Sequence, residues 1–260
     1  MALGQMALIG GYCTWWLHQI VGLSLPLSII GGLTIAAFVS WIAFEIFINP
    51  FYKRHRFLPL VTTIALSMIL DGLILLFFEE KPRAIMPGVR HSIEVFGARI
   101  SIEQIVLISF TIMLMMVLAY VLHSTAFGRK VRAVVQHDHA AMSLGIRAPL
   151  LHRFLFIMSG VLAGLGGIYL GIDQNLTPVF AFPITIKAYA AIIAGGKGNI
   201  WGAIVCAYLI AILEQLVVGV HWFGSFYVPA GYQQTVALLF IILFLLFKPA
   251  GMFSTKTRSA

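Results

Sequence analysis

The sequence predicts an all-α fold, a polytopic transmembrane helix bundle of about eight spans in one domain, residues 1–260. Three observations predict it. Hydrophobic residues make up 60% of the chain and charged residues only 10%, with a mean hydropathy of +0.98. A soluble domain carries about 25% charged residues and needs them to build a water-facing surface. The apolar residues fall into runs near the ~20 that a helix needs to cross a ~30 Å hydrocarbon core. Most of the 17 Lys and Arg, which outnumber the 9 Asp and Glu, sit in the short connections between those runs. They report orientation in a bilayer; they do not line one aromatic-bearing face, so their excess does not indicate nucleic acid.

The spans read at 2–21, 25–48, 57–78, 103–123, 150–172, 184–197, 200–219 and 232–247. The first starts without a charged leader and passes Trp15 and Trp16 without a small-residue cleavage site, so no cleavable signal peptide is expected. Lys53, Arg54 and Arg56 follow the second span, and a long basic connection at 124–149 follows the fourth. Lys197 follows the sixth, which is short and Gly-rich, and Lys248, Lys256 and Arg258 follow the last. Eight crossings put all of these, and both termini, on one side, which the positive-inside rule makes cytoplasmic. The other side receives 79–102, with Glu79, Glu80 and Glu94, and the aromatic connection 220–231, whose Trp222, Phe226 and Tyr227 suit a headgroup belt. Gly160 with Gly164, and Gly167 with Gly171, give the fifth span small residues at helix-packing spacing. Cys13 and Cys206 lie in separate apolar runs and read as inert hydrophobes.

No covalent chemistry is visible. Gly195-Gly196-Lys197-Gly198 is too short for a phosphate loop and lacks its hydroxyl, and neither H-E-x-x-H nor G-x-S-x-G occurs. His137 and His139 flank Asp138 without a third ligand nearby and read as surface residues. The chain is therefore expected to be no enzyme and to hold no cofactor or metal.

Ionisable groups inside a membrane are costly there and mark candidate sites. Asp71 in the third span either lines a polar translocation pathway or pairs with Lys187 in the sixth. Glu214, beside Gln215 in the seventh, is a similar candidate, and Glu45 is expected to snorkel to the interface. Gly195, Gly196, Gly198 and Gly202, with Asn199, make either a tight turn or a broken helix lining a cavity.

The connection at 124–149 is the sharpest signal. Val131, Val134, Val135 and Met142 fall near helical spacing, with Arg129, Lys130, Arg132 and Gln136 on other faces. Gly145 stands where a helix would terminate, with Pro149 just beyond. This predicts one short amphipathic helix outside the membrane, suited to anionic lipid or to a groove on a partner.

At four places the chain resembles the membrane permease subunits of bacterial ABC importers of the branched-chain amino acid type. Phe127-Gly128-Arg129-Lys130-Val131-Arg132-Ala133, followed by His139-Ala140-Ala141-Met142-Ser143-Leu144-Gly145, is similar to the family's cytoplasmic loop with its E-A-A-x-x-x-G element. Phe156 to Leu170 is similar to the helix after it. Ile193 to Gly202, through to Glu214, resembles the G-G-x-G-x-x-x-G segment and its trailing glutamate, and Lys248-Pro249-Ala250-Gly251-Met252-Phe253 the closing R-P-x-G-L-F. Two departures stand out. His139 replaces the loop's usual glutamate, and the family would place a further apolar helix ahead of Leu3–Tyr12, so the chain reads as a short form or as one begun at a late start codon.

The resemblance implies a second permease subunit, a paralogue, completing the pore in the bacterial inner membrane. It also implies two cytoplasmic ABC ATPases that use ATP, and a periplasmic substrate-binding protein. Gly128, Arg129, Arg132, His139, Ala140, Ala141 and Gly145 would form the ATPase coupling loop, moving as one rigid lever over 129–145. Branched-chain amino acids are the implied cargo, with urea or short-chain amides as alternatives; an ion-coupled secondary transporter using Asp71 and Glu214 is the competing class.

Overall fold

The computed structural model describes residues 2–51, 58–86, 92–95, 98–196 and 199–219, with the single positions 235, 239, 242 and 246. No linker divides the sequence, yet the fold forms two compact units, Met1–Ala181 and Phe182–Ala260. In the first, α1 (Leu3–Gln19) is followed by α2 (Leu25–Ala43), which continues through a π turn at Phe44–Ile48, and by α3 (Leu58–Phe78). A short antiparallel hairpin, β1 (Ser92–Val95) with β2 (Ala98–Ser101), pairs Ile93 with Ile100 and leads into α4 (Ile102–Ser124). Then come α5 (Ala126–Gln136), α6 (Asp138–Ser143) and α7 (Ala148–Asp173), with a 3-10 turn at Pro178–Phe180. The second unit is built on α8 (Ala181–Gly195) and α9 (Ile200–Gly219). The hairpin falls where the sequence shows only a connection. The expected eighth span, 232–247, lies outside the described residues apart from four isolated positions.

Five of these helices are long and apolar enough to cross a membrane: α2 with its π turn, α3, α4, α7 and Pro178–Gly195. At 17 residues α1 is shorter, about 26 Å at 1.5 Å per residue. It also has no polar face. A helix apolar all round belongs inside other helices, and Gly4 to Tyr12 of α1 are buried without a break, with Thr14 beyond them.

Small residues make that position possible. A Cβ on Gly10 would sit 2.5 Å from the Gly164 Cα, and one on Gly167 would overlap the Ala7 carbonyl. On the α2 side, a Cβ on Gly160 would overlap the Ser40 hydroxyl and one on Gly32 the Thr14 hydroxyl. The register (Met6 by Ser40, Ser40 by Gly160, Ala36 by Gly164) runs α2 antiparallel to both α1 and α7. Lipid supplies no hydrophobic drive between helices, so close backbone approach and the dispersion it brings hold them together. The interfacial hydroxyls stay satisfied within their own helices: Thr14 donates to Gly10 O at 2.8 Å and Ser40 to Ala36 O at 2.7 Å.

At the hairpin end the chain closes over α1. Arg83 and Leu176 exchange backbone hydrogen bonds of 3.0 and 2.7 Å, and Ile85 N–H donates to Gly171 O at 3.0 Å. This puts Ile85 and Leu176, both fully buried, against Gly171. Tyr12 donates to Leu176 O at 3.2 Å and stacks on Phe78, while the Arg83 guanidinium lies 4.7 Å from the Trp15 ring centroid. Beside them the hydrogen bond and charge of Lys81, and then the charge of Arg83, hold the exposed Glu79 carboxyl below its usual range.

The remaining spans are packed far less. Only Leu66, Leu70 and Ile74 of α3 are buried, and only Ala119 of α4. Gly167→Ala should therefore destabilise the chain by about 1–3 kcal/mol through overpacking. Gly166→Ala, one residue away with nothing within 4 Å of its Cβ, should change stability by less than about 0.5 kcal/mol. Thermal unfolding of the two variants in mild detergent checks the contrast.

Candidate functional site: the basic elbow and the intramembrane charges

The elbow begins where α4 ends. Thr125 is the N-cap of α5, its hydroxyl accepting from Gly128 N–H at 3.3 Å while donating to Val121 O. Gly128 lies so close to α4 that a Cβ would overlap the Leu122 carbonyl. Arg132, one turn on, donates from its guanidinium to Leu122 O and, at 3.2 Å, to His123 O. A helix end leaves its last carbonyls without intrahelical partners and carries partial negative charge, so a cation there both hydrogen-bonds and offsets the dipole.

One helix is expected over this region, and the structure has two. His137 is extended (φ −148°) and separates α5 from α6. The break lets α6 fold back so that Ala141 joins Val134, Ala148 and Leu151 in a small core with Phe127, Val131 and Ile146 around it. A straight helix would carry Ala141 about 10 Å along the axis from Val134. The apolar stripe is thus divided. Val131 and Val134 serve this internal core, whereas Val135 (74% exposed), Met142 and Leu144 (81% exposed) face outward.

Gly145 terminates α6. Its φ is +82°, its N–H donates to Met142 O at 3.0 Å and Ile146 N–H donates to Ala141 O at 3.1 Å. This pair of bonds around a left-handed residue is the Schellman arrangement, with Ile146 making the accompanying apolar contact. His139 and Ala140 lie on the two-turn α6, and Ala140 is exposed, as are Arg129 and Lys130 on α5. His152 of α7 reaches back to within 3.8 Å of Asp138.

Glu45 does not merely snorkel. Its carboxylate pairs with Arg153 at 2.6 Å and accepts from Asn49 at 2.9 Å, tying the π turn of α2 to the start of α7. The sequence contained both residues but no spacing that joined them.

Within the first unit Asp71 accepts from the amide of Gln5 at 3.1 Å, and Gln5 is buried on α1. A Gln in the apolar first half of α1 was the available signal for this contact. Within the second unit Lys187 Nζ lies 2.8 Å from each carboxylate oxygen of Glu214, which is buried. The ammonium that the sequence offers to Asp71 is thus held by Glu214. Gly195 and Gly196 (φ +100°) close α8, and a Cβ on Gly195 would overlap Ala203 at the start of α9. Asn199 caps α9 by accepting from Gly202 N–H at 3.2 Å. Gly198 and Lys197 lie outside the described residues.

Residues 1–246, nearly the whole chain, match the family described as branched-chain amino acid transport system / permease component. The chain belongs to that family. It is similar to the probable branched-chain amino acid transport permease protein LivH of Methanocaldococcus jannaschii, 29% identical over 96% of this chain and 81% of that protein. The high-affinity branched-chain amino acid transport system permease protein BraD of Pseudomonas aeruginosa is 28% identical over 96% of this chain and 84% of its own. A shorter likeness, 31% identical over 53% of this chain and 39% of the other, extends to the autoinducer 2 import system permease protein LsrC of Yersinia pestis. No solved structure matches. This permease is a multi-pass membrane protein and a transport subunit, not an enzyme.

An ion pair at membrane depth is held by mutual compensation, so removing one partner leaves a buried charge. Lys187→Met alone, which strands the buried Glu214 carboxylate, should destabilise the permease by about 3–5 kcal/mol, and Lys187→Met with Glu214→Gln should recover most of that loss. Thermal stability in detergent reads both; equal losses in the single and double variants would contradict the pairing.

Proposed function

We propose that this permease is one membrane-spanning subunit of an ATP-driven ABC importer that carries branched-chain amino acids across the bacterial inner membrane. The observation that carries the reading is the family match through residue 246 to relatives named for branched-chain amino acid transport. The folded elbow supports it physically. A transport subunit without chemistry of its own must receive energy from outside. A capped, cored, basic projection with Val135, Met142 and Leu144 outward offers a partner a firm place to push.

In this reading the elbow faces the cytoplasm and engages an ATPase, with Arg129, Lys130 and Ala140 on the accessible side. A second permease subunit completes the pore, two ATPases bind and hydrolyse ATP, and a periplasmic binding protein delivers cargo at the hairpin end. Asp71 and the Lys187–Glu214 pair are the polar groups available to a pathway. Gly160, Gly164 and Gly167 keep α7 locked to α1 and α2, and Gly171 admits Ile85 and Leu176, so that the bundle answers elbow displacement as one packed body. Urea or short amides would use the same architecture, whereas an ion-coupled transporter would use Asp71 and Glu214 without an ATPase.

Co-expression with candidate ATPase and second permease subunits, followed by affinity purification in mild detergent and reconstitution, separates these classes. The expected outcome is co-purification of an ATPase and leucine uptake that requires ATP and survives a protonophore. Uptake that collapses with the protonophore and persists without the ATPase would replace this reading with the ion-coupled one. ATP-dependent uptake of urea but not leucine would change the cargo alone.

A further inference from the structure

The helix least packed into the first unit is the one to which the elbow is bolted. Along the 23 residues of α4 only Ala119 is buried. Near its start, the Gln104 amide donates to Asp173 at the end of α7, at 2.8 Å. At its other end it is gripped by the elbow, through Thr125, Gly128 and the Arg132 guanidinium on the Leu122 and His123 carbonyls. Between these attachments α4 stands off from α7. Leu118, Val121 and Leu122 face Phe154, Met158 and Leu162 across an apolar gap of about 600 Å³, with Phe127 of α5 also lining it.

Packed helices move as blocks because their interfaces resist continuous deformation. The glycine contacts make α7 part of a block with α1 and α2, and among the described residues nothing comparable holds the middle of α4, where Leu107 is only partly buried against that core. A push on α5 is carried into α4 by direct hydrogen bonds. We infer that Arg132 is a positioning residue for energy coupling: it locks α5 to the end of α4, so that displacement of the elbow swings α4 about its Gln104–Asp173 attachment and changes the gap to α7. This rests on the importer reading and goes beyond it by naming the moving helix and the side chain that moves it. The role suits an arginine better than a lysine. The planar guanidinium reaches two successive carbonyls at once, whereas a lysine ammonium is a single point charge on a flexible stem. In this inference Arg132 acts through the end of α4, within the coupling loop to which the sequence assigns it.

The test uses the assembled complex with Val121→Cys and Met158→Cys, which both line the gap, in a Cys13→Ser, Cys206→Ser background. The rate of cross-linking by a short bifunctional maleimide is measured with and without ATP. Uptake per ATP hydrolysed is measured in the same complex without the two introduced cysteines. With Arg132 present, ATP should change the cross-linking rate by roughly threefold or more. Arg132→Ala should abolish that change and lower uptake per ATP by roughly threefold or more while ATPase co-purification is retained, and Arg132→Lys should restore part of both. A cross-linking rate insensitive to ATP with Arg132 present, or an undiminished response and coupling ratio in Arg132→Ala, would overturn the inference. Should Arg132→Ala fail to assemble, the ATP response with Arg132 present and the coupling ratio of Arg132→Lys still decide it. Failure of any ATPase to co-purify with the unmodified chain would instead count against the importer reading.

Discussion

The first unit depends on backbone contact between three helices. In lipid, apolar side chains gain nothing by turning from the solvent to one another, so a buried helix is held by the closeness of its neighbours. Here α1 is enclosed because Gly10 meets Gly164 and Ala7 meets Gly167, while Gly32 and Gly160 admit the hydroxyls of Thr14 and Ser40. The same closeness constrains the sequence on both sides of each contact. A methyl on Gly167 has nowhere to go except into a peptide carbonyl, which cannot change rotamer as a side chain can. The seal formed by Ile85, Leu176 and Tyr12 follows from it, because Gly171 lets the 83–85 segment lie directly on α7.

The elbow follows a different physics. It is too small for burial alone to fix it, so its helix ends are settled one by one: Thr125 starts α5, Arg132 closes α4 and the left-handed Gly145 closes α6. Each device satisfies backbone groups that a short helix would otherwise leave to water. The small core of Val134, Ala141, Ala148 and Leu151 then has a defined shape to fill. A projection built this way keeps its form when pushed, the property that the proposed coupling role requires.

Much of this was legible in the sequence, and the gaps have physical causes. Span boundaries could be read because hydrophobic runs of bilayer length have few alternatives: α3, expected at 57–78, runs Leu58–Phe78, and the seventh span coincides with Ile200–Gly219. The division of the elbow at His137 was not legible. Helical spacing continues across it, and only the tertiary contact between Ala141 and Val134 rewards the fold-back. The 92–101 hairpin was hidden for a similar reason, as two four-residue strands carry too little pattern to rise above a polar connection. Partners of ionisable residues were the weakest part. Asp71, Glu45, Lys187 and Arg153 are individually conspicuous in an apolar chain, but sequence order does not say which carboxylate meets which cation.

That last ambiguity has a physical resolution in the second unit. A lysine and a glutamate at membrane depth each lose solvation that only an opposite charge in good geometry can replace. Glu214 is 6% exposed, and the Lys187 ammonium reaches both of its carboxylate oxygens at 2.8 Å. Lys187 is less enclosed, with 36% of its side chain accessible. An ammonium is not left facing hydrocarbon, so that accessible side must meet water or other protein. The asymmetry orients α8 with its charged face away from lipid. On the importer reading, a helix turned in that way offers its charged face to a polar path or a subunit contact.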